Sequence, residues 1–194
     1  MALLPSGSTT LYQIGAVISI AATLFSSFGQ IPPESALPSA PACPPPDIDT
    51  NFWPIVTLND CGIRLKLPKK YKEHKWEVIV NNAIGHSYRA GRFDSIDIEV
   101  ERPPNANPAQ NKTIRQKDYE GFTECNQMID GREAIIQSFR GGGIIISADR
   151  HFRTYYAEGL WQLRPGQLIR IRGDVASRES QEEVLAILRT VEFL

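Results

Sequence analysis

Three cysteines and three histidines are the residues of this chain whose chemistry could support nucleophilic catalysis or metal binding. No histidine stands at the short spacing from another histidine or from a cysteine that a structural zinc site or a metalloprotease helix requires. The chain also lacks the glycine patterns of a nucleophile elbow, a P-loop or a dinucleotide-binding turn. We therefore predict no catalytic residue, no metal ligand and no cofactor. The six residues are Cys43, Cys61, Cys125, His74, His86 and His151.

A nucleophile made of one cysteine and one histidine is the alternative, and it would combine Cys61 or Cys125 with His86 or His151. In an exported protein, however, Cys61 and Cys125 are the expected disulfide, because both lie in the part of the chain that is predicted to fold. A bridged cysteine has no thiol, so this disulfide argues against the nucleophile. Cys43 is then the odd cysteine, either a free or intermolecular thiol or a site of lipidation.

A short basic stretch is the candidate binding site for an anion or an anionic partner. Arg150, His151 and Arg153 follow one another closely, and Arg140 precedes them by ten residues. Guanidinium groups bind phosphates and carboxylates through two parallel hydrogen bonds, which makes such a cluster suitable for an anion. The alternative for a run of this kind is a solvated turn and strand face.

Three carboxylates, Asp97, Glu99 and Glu101, alternate with apolar residues and so share one face of a predicted strand. Glycoside hydrolysis needs two carboxylates opposed across a cleft, which three carboxylates on one strand face do not provide. We interpret them as a solvated face that favours solubility, with Ca²⁺ binding as the alternative.

The N-terminal region indicates export or membrane anchoring. The first 33 residues carry no charged side chain, and residues 14–25 form an apolar run of twelve, the length of the apolar part of a signal peptide. Small residues precede a cleavage point before Gln30. We predict a signal peptide or membrane anchor over residues 1–29. Cleavage implies a periplasmic, lumenal or extracellular protein, whereas retention of residues 11–29 implies a membrane-anchored one.

Residues 30–50 contain seven prolines and are predicted to form a semi-rigid, extended linker. A ligand for an aromatic groove is the alternative for such a segment. The whole chain has a net charge of −1, with 22% charged residues. A nucleic-acid binder would be more basic, so we expect no nucleic-acid partner.

Residues 51–194 are predicted to form one α+β domain, and residues 125–177 supply most of its sheet as consecutive antiparallel strands. Asp130-Gly131 favours a type I′ hairpin, because both central positions of that turn need positive φ. Pro165-Gly166 suits a type II turn. Helices are predicted over residues 111–128 and 178–189, the second with Ser177 as its N-cap.

The alternation of residues 168–172 predicts a strand whose two faces carry different side chains. Leu168 and Arg170 lie on one face, and Ile169 and Ile171 lie on the other. This alternation predicts one buried face and one face in contact with water.

The order of these elements, together with the phrases IRLKLP, IDGREA and LAILRTVEF and the pair Tyr155-Tyr156, resembles the PsbP/DcrB-like α/β/α sandwich superfamily over roughly residues 52–194. The resemblance implies an antiparallel sheet flanked by helices. It also implies a protein exported in bacteria or placed in the chloroplast lumen, acting as an accessory or binding subunit. No active site of the superfamily can be carried over to this chain.

These observations together predict an exported, non-enzymatic binding or accessory domain whose partner is an unknown protein or small molecule. Two alternatives remain open. One is a secreted hydrolase with an unrecognised site, and the other is a structural envelope protein tethered by residues 11–29.

Overall fold

The computed structural model describes residues 42–45, 47–74, 84–112, 119–141 and 154–194, which belong to one compact unit, Ser39–Leu194. The described residues form two antiparallel sheets and one α-helix, α1 (Arg178–Leu188). The small sheet has the order β1-β2-β10, and the large sheet has the order β3-β4-β5-β9-β8-β7-β6. The strands are β1 (Ile55–Leu58), β2 (Ile63–Lys66), β3 (Lys72–His74), β4 (Ile84–Ala90), β5 (Asp94–Glu101), β6 (Glu120–Ile129), β7 (Arg132–Gly141), β8 (Thr154–Arg164), β9 (Gln167–Val175) and β10 (Glu192–Phe193).

The predicted α/β/α sandwich is wrong, because the described residues are mostly antiparallel strands with a single helix. The helix predicted over residues 111–128 is replaced in large part by β6, and residues 113–118 lie outside the described part of the chain. Residues 125–129 pair one by one with residues 136–132 of β7, as a strand does, and Cys125 and Ile129 are buried whereas Met128 is 63% exposed. β6 is an edge strand with many polar side chains, so its apolar alternation is too weak to distinguish it from a helix.

The consecutive antiparallel strands predicted within residues 125–177 are present in the described segments of that region. The β6–β7 turn has Asp130 at φ 46° and Gly131 at φ 75°, as the predicted type I′ hairpin requires. The β8–β9 turn has Gly166 at φ 78° after Pro165, in agreement with a type II turn. Residues 142–153 lie outside the described part, so the strands predicted there stay predictions.

α1 packs on one face of the large sheet, against β8 and β9. Its N-cap Ser177 accepts a hydrogen bond from the backbone of Ser180, which confirms the predicted start of this helix. Val184 and Leu188 are fully buried and join Trp161, Ile169 and other side chains in the main core. Two glycines of the sheet make the close approach possible, because a Cβ at Gly173 would lie 2.6 Å from the Val184 side chain and one at Gly159 would lie 3.0 Å from Leu188.

Gly173→Ala is expected to lower the free energy of unfolding by about 1–3 kcal/mol, because the added methyl overlaps Val184 in a packed core. Urea denaturation of the two proteins measures the difference. The double variant Gly173→Ala/Val184→Ala is the control. If overlap is the cause, the double variant loses less stability than the sum of the single losses. Strictly additive losses would contradict this explanation.

The end of the Pro-rich segment is attached to the edge strand β6. Ala42 forms a parallel bridge with Asn126, and the guanidinium of Arg189 donates a hydrogen bond to the carbonyl oxygen of Pro44. Cys43 forms a disulfide with Cys125, with the two Cα atoms 5.1 Å apart. Residues 42–44 therefore lie along part of the sheet edge, which is the kind of cover that protects an edge strand from pairing with other chains.

The predicted Cys61–Cys125 disulfide is therefore corrected: Cys125 pairs with Cys43, and Cys61 is a buried free thiol. Cys61 lies in the turn between β1 and β2, whereas Cys125 lies on β6 at the edge that the linker reaches. Residues 1–29, predicted as signal peptide or anchor, lie outside the described residues. Among the residues that are described, no helix is long and apolar enough to cross a membrane.

Candidate functional site

The face of the large sheet opposite α1, here termed the charged face, carries ion pairs as well as apolar side chains. The register aligns Glu99 of β5 with Arg170 of β9, and Glu158 of β8 with Arg172 of β9. Carboxylates of β5 and β8 therefore flank the arginines of β9, the strand between them. Such cross-strand pairs of opposite charge stabilise a sheet face.

Arg170 is the centre of this face. Its Nε donates to Glu101 Oε1 at 2.6 Å, and one Nη donates to Glu158 Oε2 at 2.7 Å. The other Nη donates to the backbone oxygen of Asn111 at 2.7 Å. Only 7% of Arg170 and 1% of Glu158 is exposed, so the face predicted to be in contact with water is dry at this point.

Arg170 is shielded from water because β9 lies in the middle of the sheet and because a loop crosses β9. Residues 102–112 follow β5, and Ala106 in this loop packs on Leu160 and Leu168. The loop also contains a short 3₁₀ turn, Pro108–Gln110, which the side chain of Asn107 caps. The loop thus places the Asn111 carbonyl over Arg170 and removes the arginine from water.

Arg170 and its carboxylate partners Glu101 and Glu158 form a closed network of ion pairs. Burial by itself would lower the pKa of Arg170, but its hydrogen bond to Glu101 and the negative charge of Glu158 raise that pKa above its ordinary value. The Tyr156 hydroxyl donates to Glu158 Oε2 at 2.5 Å, which occupies a further lone pair of the same carboxylate. Glu158 is therefore neutralised and satisfied within the protein, an arrangement that holds the sheet together and leaves little capacity for an external ligand.

The network continues toward β6. Lys112 Nζ lies 2.8 Å from both carboxylate oxygens of Glu124, and Gln137 Nε2 donates to Glu124 Oε2 at 2.7 Å. On the other side of Arg170, Asp97 contacts Arg172 at 3.5 Å. Two of the three carboxylates interpreted as a solvated face, Asp97 and Glu101, are thus ion-paired with arginines of β9.

Shallow polar grooves border the same loop. One groove of about 740 Å³ lies between the loop and the tips of two hairpins, with Arg132, Glu133 and Gln162 on the hairpin side. Another, of about 620 Å³, is lined by loop residues such as Pro103 and Gln110, and by Lys112. These grooves have a mixed lining of amides, prolines and single charges, which suits contact with a partner surface better than enclosure of a small substrate.

A second cluster of chemically capable side chains lies where the turn between β1 and β2 meets β4. Asp60, Cys61 and His86 each present one ligand atom, and these atoms all lie within 4.8 Å of one another. His86 Nε2 is 2.9 Å from Asp60 Oδ2, and its Nδ1 is 3.3 Å from Glu73 Oε1. Cys61 is 1% exposed, while Asp60 and Glu73 are open to solvent. We refer to Asp60, Cys61, His86 and Glu73 as the His86 cluster.

The charges in the His86 cluster oppose a cysteine nucleophile. Burial, together with the negative charge of Asp60, raises the pKa of Cys61 to about 12. Burial would also raise the pKa of Asp60, but the hydrogen bond and the charge of His86 lower it below its usual value. A reactive cysteine needs the opposite shift, toward a thiolate at neutral pH. Cys125 is bridged, so the predicted alternatives that use it have no free thiol.

Cys61 in the native protein is expected to react with iodoacetamide at pH 8 at least about 100-fold more slowly than after unfolding, because the thiol is buried and protonated. Mass spectrometry of tryptic peptides follows the alkylation. Under non-reducing conditions, unfolding should expose one alkylation site per chain. Rapid native alkylation of Cys61 would show instead that the thiol is accessible and activated.

The predicted basic patch is represented in the described residues only by Arg140. Its Nη1 forms an ion pair with Glu120 at 3.0 Å, and its guanidinium lies 5.5 Å from the centre of the Tyr155 ring. Arg150, His151 and Arg153 lie outside the described residues, so their part in an anion site stays a prediction. His74, on β3, is exposed.

Neither the trio of Arg170, Glu158 and Glu101 nor the His86 cluster was predicted from the sequence. A signal for the trio exists: Glu158 is a charged residue among the apolar side chains of residues 155–161, which indicates a buried and paired group. No short sequence motif indicates the His86 cluster, since Cys61 and His86 are 25 positions apart and approach each other only through the packing of two sheets.

Comparison with known proteins supports the fold. No protein-family model matches the chain, and a search of curated proteins finds no relative. Among solved structures, the chain is similar to the solution structure of cyanobacterial PsbP (CyanoP) from Synechocystis sp. PCC 6803, with a TM-score of 0.52 and 10% identity. The match covers 79% of this chain and 98% of that one. The fold is therefore PsbP-like, and at this identity the similarity shows the fold alone.

Proposed function

We propose that this chain is an exported, non-enzymatic binding or accessory domain of the PsbP/DcrB-like type, which acts by binding an envelope or extracellular protein. The observation that carries the proposal is the Cys43–Cys125 disulfide, which joins the Pro-rich segment to the edge of the folded domain. Disulfides that connect distant parts of a chain persist in oxidising compartments and are rare in the cytosol. The apolar segment at residues 14–25 supplies a route to such a compartment.

The ion pairing of the carboxylates and the protonation of Cys61 support a binding function over a catalytic one. Glu158 and Glu101 both pair with Arg170, and Cys61 is held as a thiol. Catalytic acids, bases and nucleophiles need pKa values close to the working pH and access to a substrate. The PsbP-like fold and the resemblance in sequence agree with an accessory role.

Photocrosslinking in the cell that produces the protein tests this proposal. A benzophenone amino acid replaces Phe52 in one variant and Met128 in another, two exposed apolar side chains of the domain. Glu179, in the exposed first turn of α1, is the control position. A specific partner gives a discrete adduct from Phe52 or Met128 that Glu179 does not give.

Two results would contradict the proposal. One is the absence of adducts from both apolar positions when the protein is expressed at its normal level. The other is hydrolysis of ester, phosphate or glycoside substrates by the purified protein, with an activity that co-purifies with the protein through successive columns. Such an activity would establish the secreted hydrolase instead.

A further inference from the structure

The His86 cluster brings nitrogen, sulfur and oxygen ligands to one point from separate elements of the fold. Asp60 and Cys61 occupy the turn between β1 and β2, while His86 lies on β4 and Glu73 on the neighbouring β3. The turn is held by its backbone, since the Cys61 amide donates to both the Leu58 carbonyl and Asp60 Oδ1. The ligand atoms are therefore positioned by two sheets and not by a flexible terminus.

The ring of His86 lies between two carboxylates, an arrangement that a cation at this point stabilises. Nε2 faces Asp60 at 2.9 Å and Nδ1 faces Glu73 at 3.3 Å. A neutral imidazole has a single N–H, so one of its nitrogens would face a carboxylate with a lone pair. A second proton on the ring removes this repulsion, and so does a metal ion bound at Nε2.

The geometry points to the metal-binding form of this arrangement, because Glu73 has the role that an outer carboxylate plays in many metal sites. Histidines that bind metals usually donate their other ring N–H to a carboxylate, which fixes the tautomer and the orientation of the ring. In the metal-bound form Nδ1–H would donate to Glu73, which lies 3.3 Å away, and Nε2, on the side of Asp60, would face the metal.

We propose that Asp60, Cys61 and His86 bind a divalent transition-metal ion of the Zn²⁺ class, with Glu73 positioning His86 and solvent supplying a fourth ligand. A thiolate, an imidazole and a carboxylate together favour Zn²⁺ or Co²⁺ over Ca²⁺ and Mg²⁺, which take oxygen ligands. Bond lengths of about 2.0–2.3 Å place tetrahedral ligand atoms about 3.3–3.8 Å apart. The Nε2–Asp60 contact would therefore open by about 0.4 Å, and ligand atoms that are up to 4.8 Å apart would close by up to about 1 Å.

Binding changes the protonation of the cluster in a defined way. The thiolate is the ligand, so Cys61 releases its proton to solvent when the S–metal bond forms, and no electron is transferred. Nε2 of His86 likewise exchanges any proton for the metal. Metal affinity therefore increases as pH rises, until metal hydroxide competes.

Cobalt titration of the full-length oxidised protein, purified without a histidine tag, is the direct test. Because Cys43 and Cys125 are bridged, a sulfur-to-cobalt charge-transfer absorption in the near ultraviolet reports on Cys61. We expect this band to saturate at one Co²⁺ per chain and to disappear when Zn²⁺ is added.

Four variants separate the roles of the residues. His86→Gln and Asp60→Asn are expected to weaken Co²⁺ binding by roughly 100-fold, and Glu73→Gln by about 10–100-fold with the band retained. Asp60 and Glu73 are exposed, so their variants are expected to fold even if a change at buried Cys61 does not. His74→Gln, an exposed histidine on β3, is the matched control and should leave binding unchanged.

Three results would overturn the proposal. They are the absence of the charge-transfer band at millimolar Co²⁺, an equal band in His86→Gln, and an equal loss of binding in His74→Gln. These results would leave the proposed binding function untouched, since that function does not depend on the metal.

Discussion

Arg170→Met is expected to lower the free energy of unfolding by about 3–5 kcal/mol, because it removes the guanidinium that pairs with the buried Glu158 carboxylate. Glu158 is 1% exposed, and the Tyr156 hydroxyl cannot replace the lost charge. Urea and thermal denaturation of the oxidised protein measure the change. Arg64→Met is the matched control: Arg64 pairs with Glu192 at 2.5 Å on the surface, and its removal should cost at most about 1 kcal/mol.

A double variant distinguishes the lost pairing from lost packing. Arg170→Met/Glu158→Leu removes both charges and keeps the volume of the site, so it should recover much of the stability that Arg170→Met loses. Equal losses in the Arg170→Met and Arg64→Met variants would contradict a buried network at the centre of the sheet. A further loss in the double variant would show that Glu158 is stabilised by groups other than Arg170.

Cys43→Ser is expected to lower the free energy of unfolding by about 2–5 kcal/mol, since it opens the Cys43–Cys125 bridge. The two cysteines are 82 positions apart, for which the chain-entropy model gives about 4.5 kcal/mol. Denaturation with and without reductant measures the effect. Reductant should destabilise the wild type to the level of Cys43→Ser and should leave the variant itself unchanged.

The cysteine that lies outside the bridge provides the control. Cys61→Ser should remain sensitive to reductant, whatever its own stability, because the disulfide does not involve Cys61. If Cys61→Ser becomes insensitive while Cys43→Ser stays sensitive, Cys125 is bridged to Cys61 and the structural assignment is contradicted.

The parts of the fold that depend on local chemistry could be predicted from the sequence. The hairpin at Asp130-Gly131 follows from the positive φ that its turn requires, and the turn at Pro165-Gly166 follows from the fixed φ of proline. The helix at Arg178–Leu188 has a strong N-cap at Ser177 and a clear apolar stripe. Each of these signals lies within a few residues of the feature that it predicts.

The parts that depend on distant contacts could not be predicted in this way. β6 was interpreted as a helix because an edge strand has a weak apolar alternation. The disulfide partner of Cys125 is decided by the path of the linker along that edge, and spacing does not show this path. Arg170 was expected on a two-faced strand because the sequence does not show that the loop of residues 102–112 covers it.

The same limit applies to the His86 cluster. Asp60 and Cys61 read as an ordinary turn, and His86 reads as a single histidine in a loop. Only the packing of the small sheet against β4 brings their ligand atoms within 4.8 Å. A cluster whose members come from non-adjacent elements has no spacing pattern in the sequence, so sequence analysis does not reveal it.

The measurement that tests the proposed function most directly is differential alkylation and intact-mass analysis of the protein isolated from the cells that make it. Free thiols are blocked in denaturant without reductant, and bridged thiols are labelled after reduction. We predict that Cys43 and Cys125 are fully protected as a disulfide, that Cys61 is free, and that the mass begins at Gln30. Three free thiols in the native protein would contradict both the disulfide and the oxidising compartment, and with them the proposal of an exported binding domain.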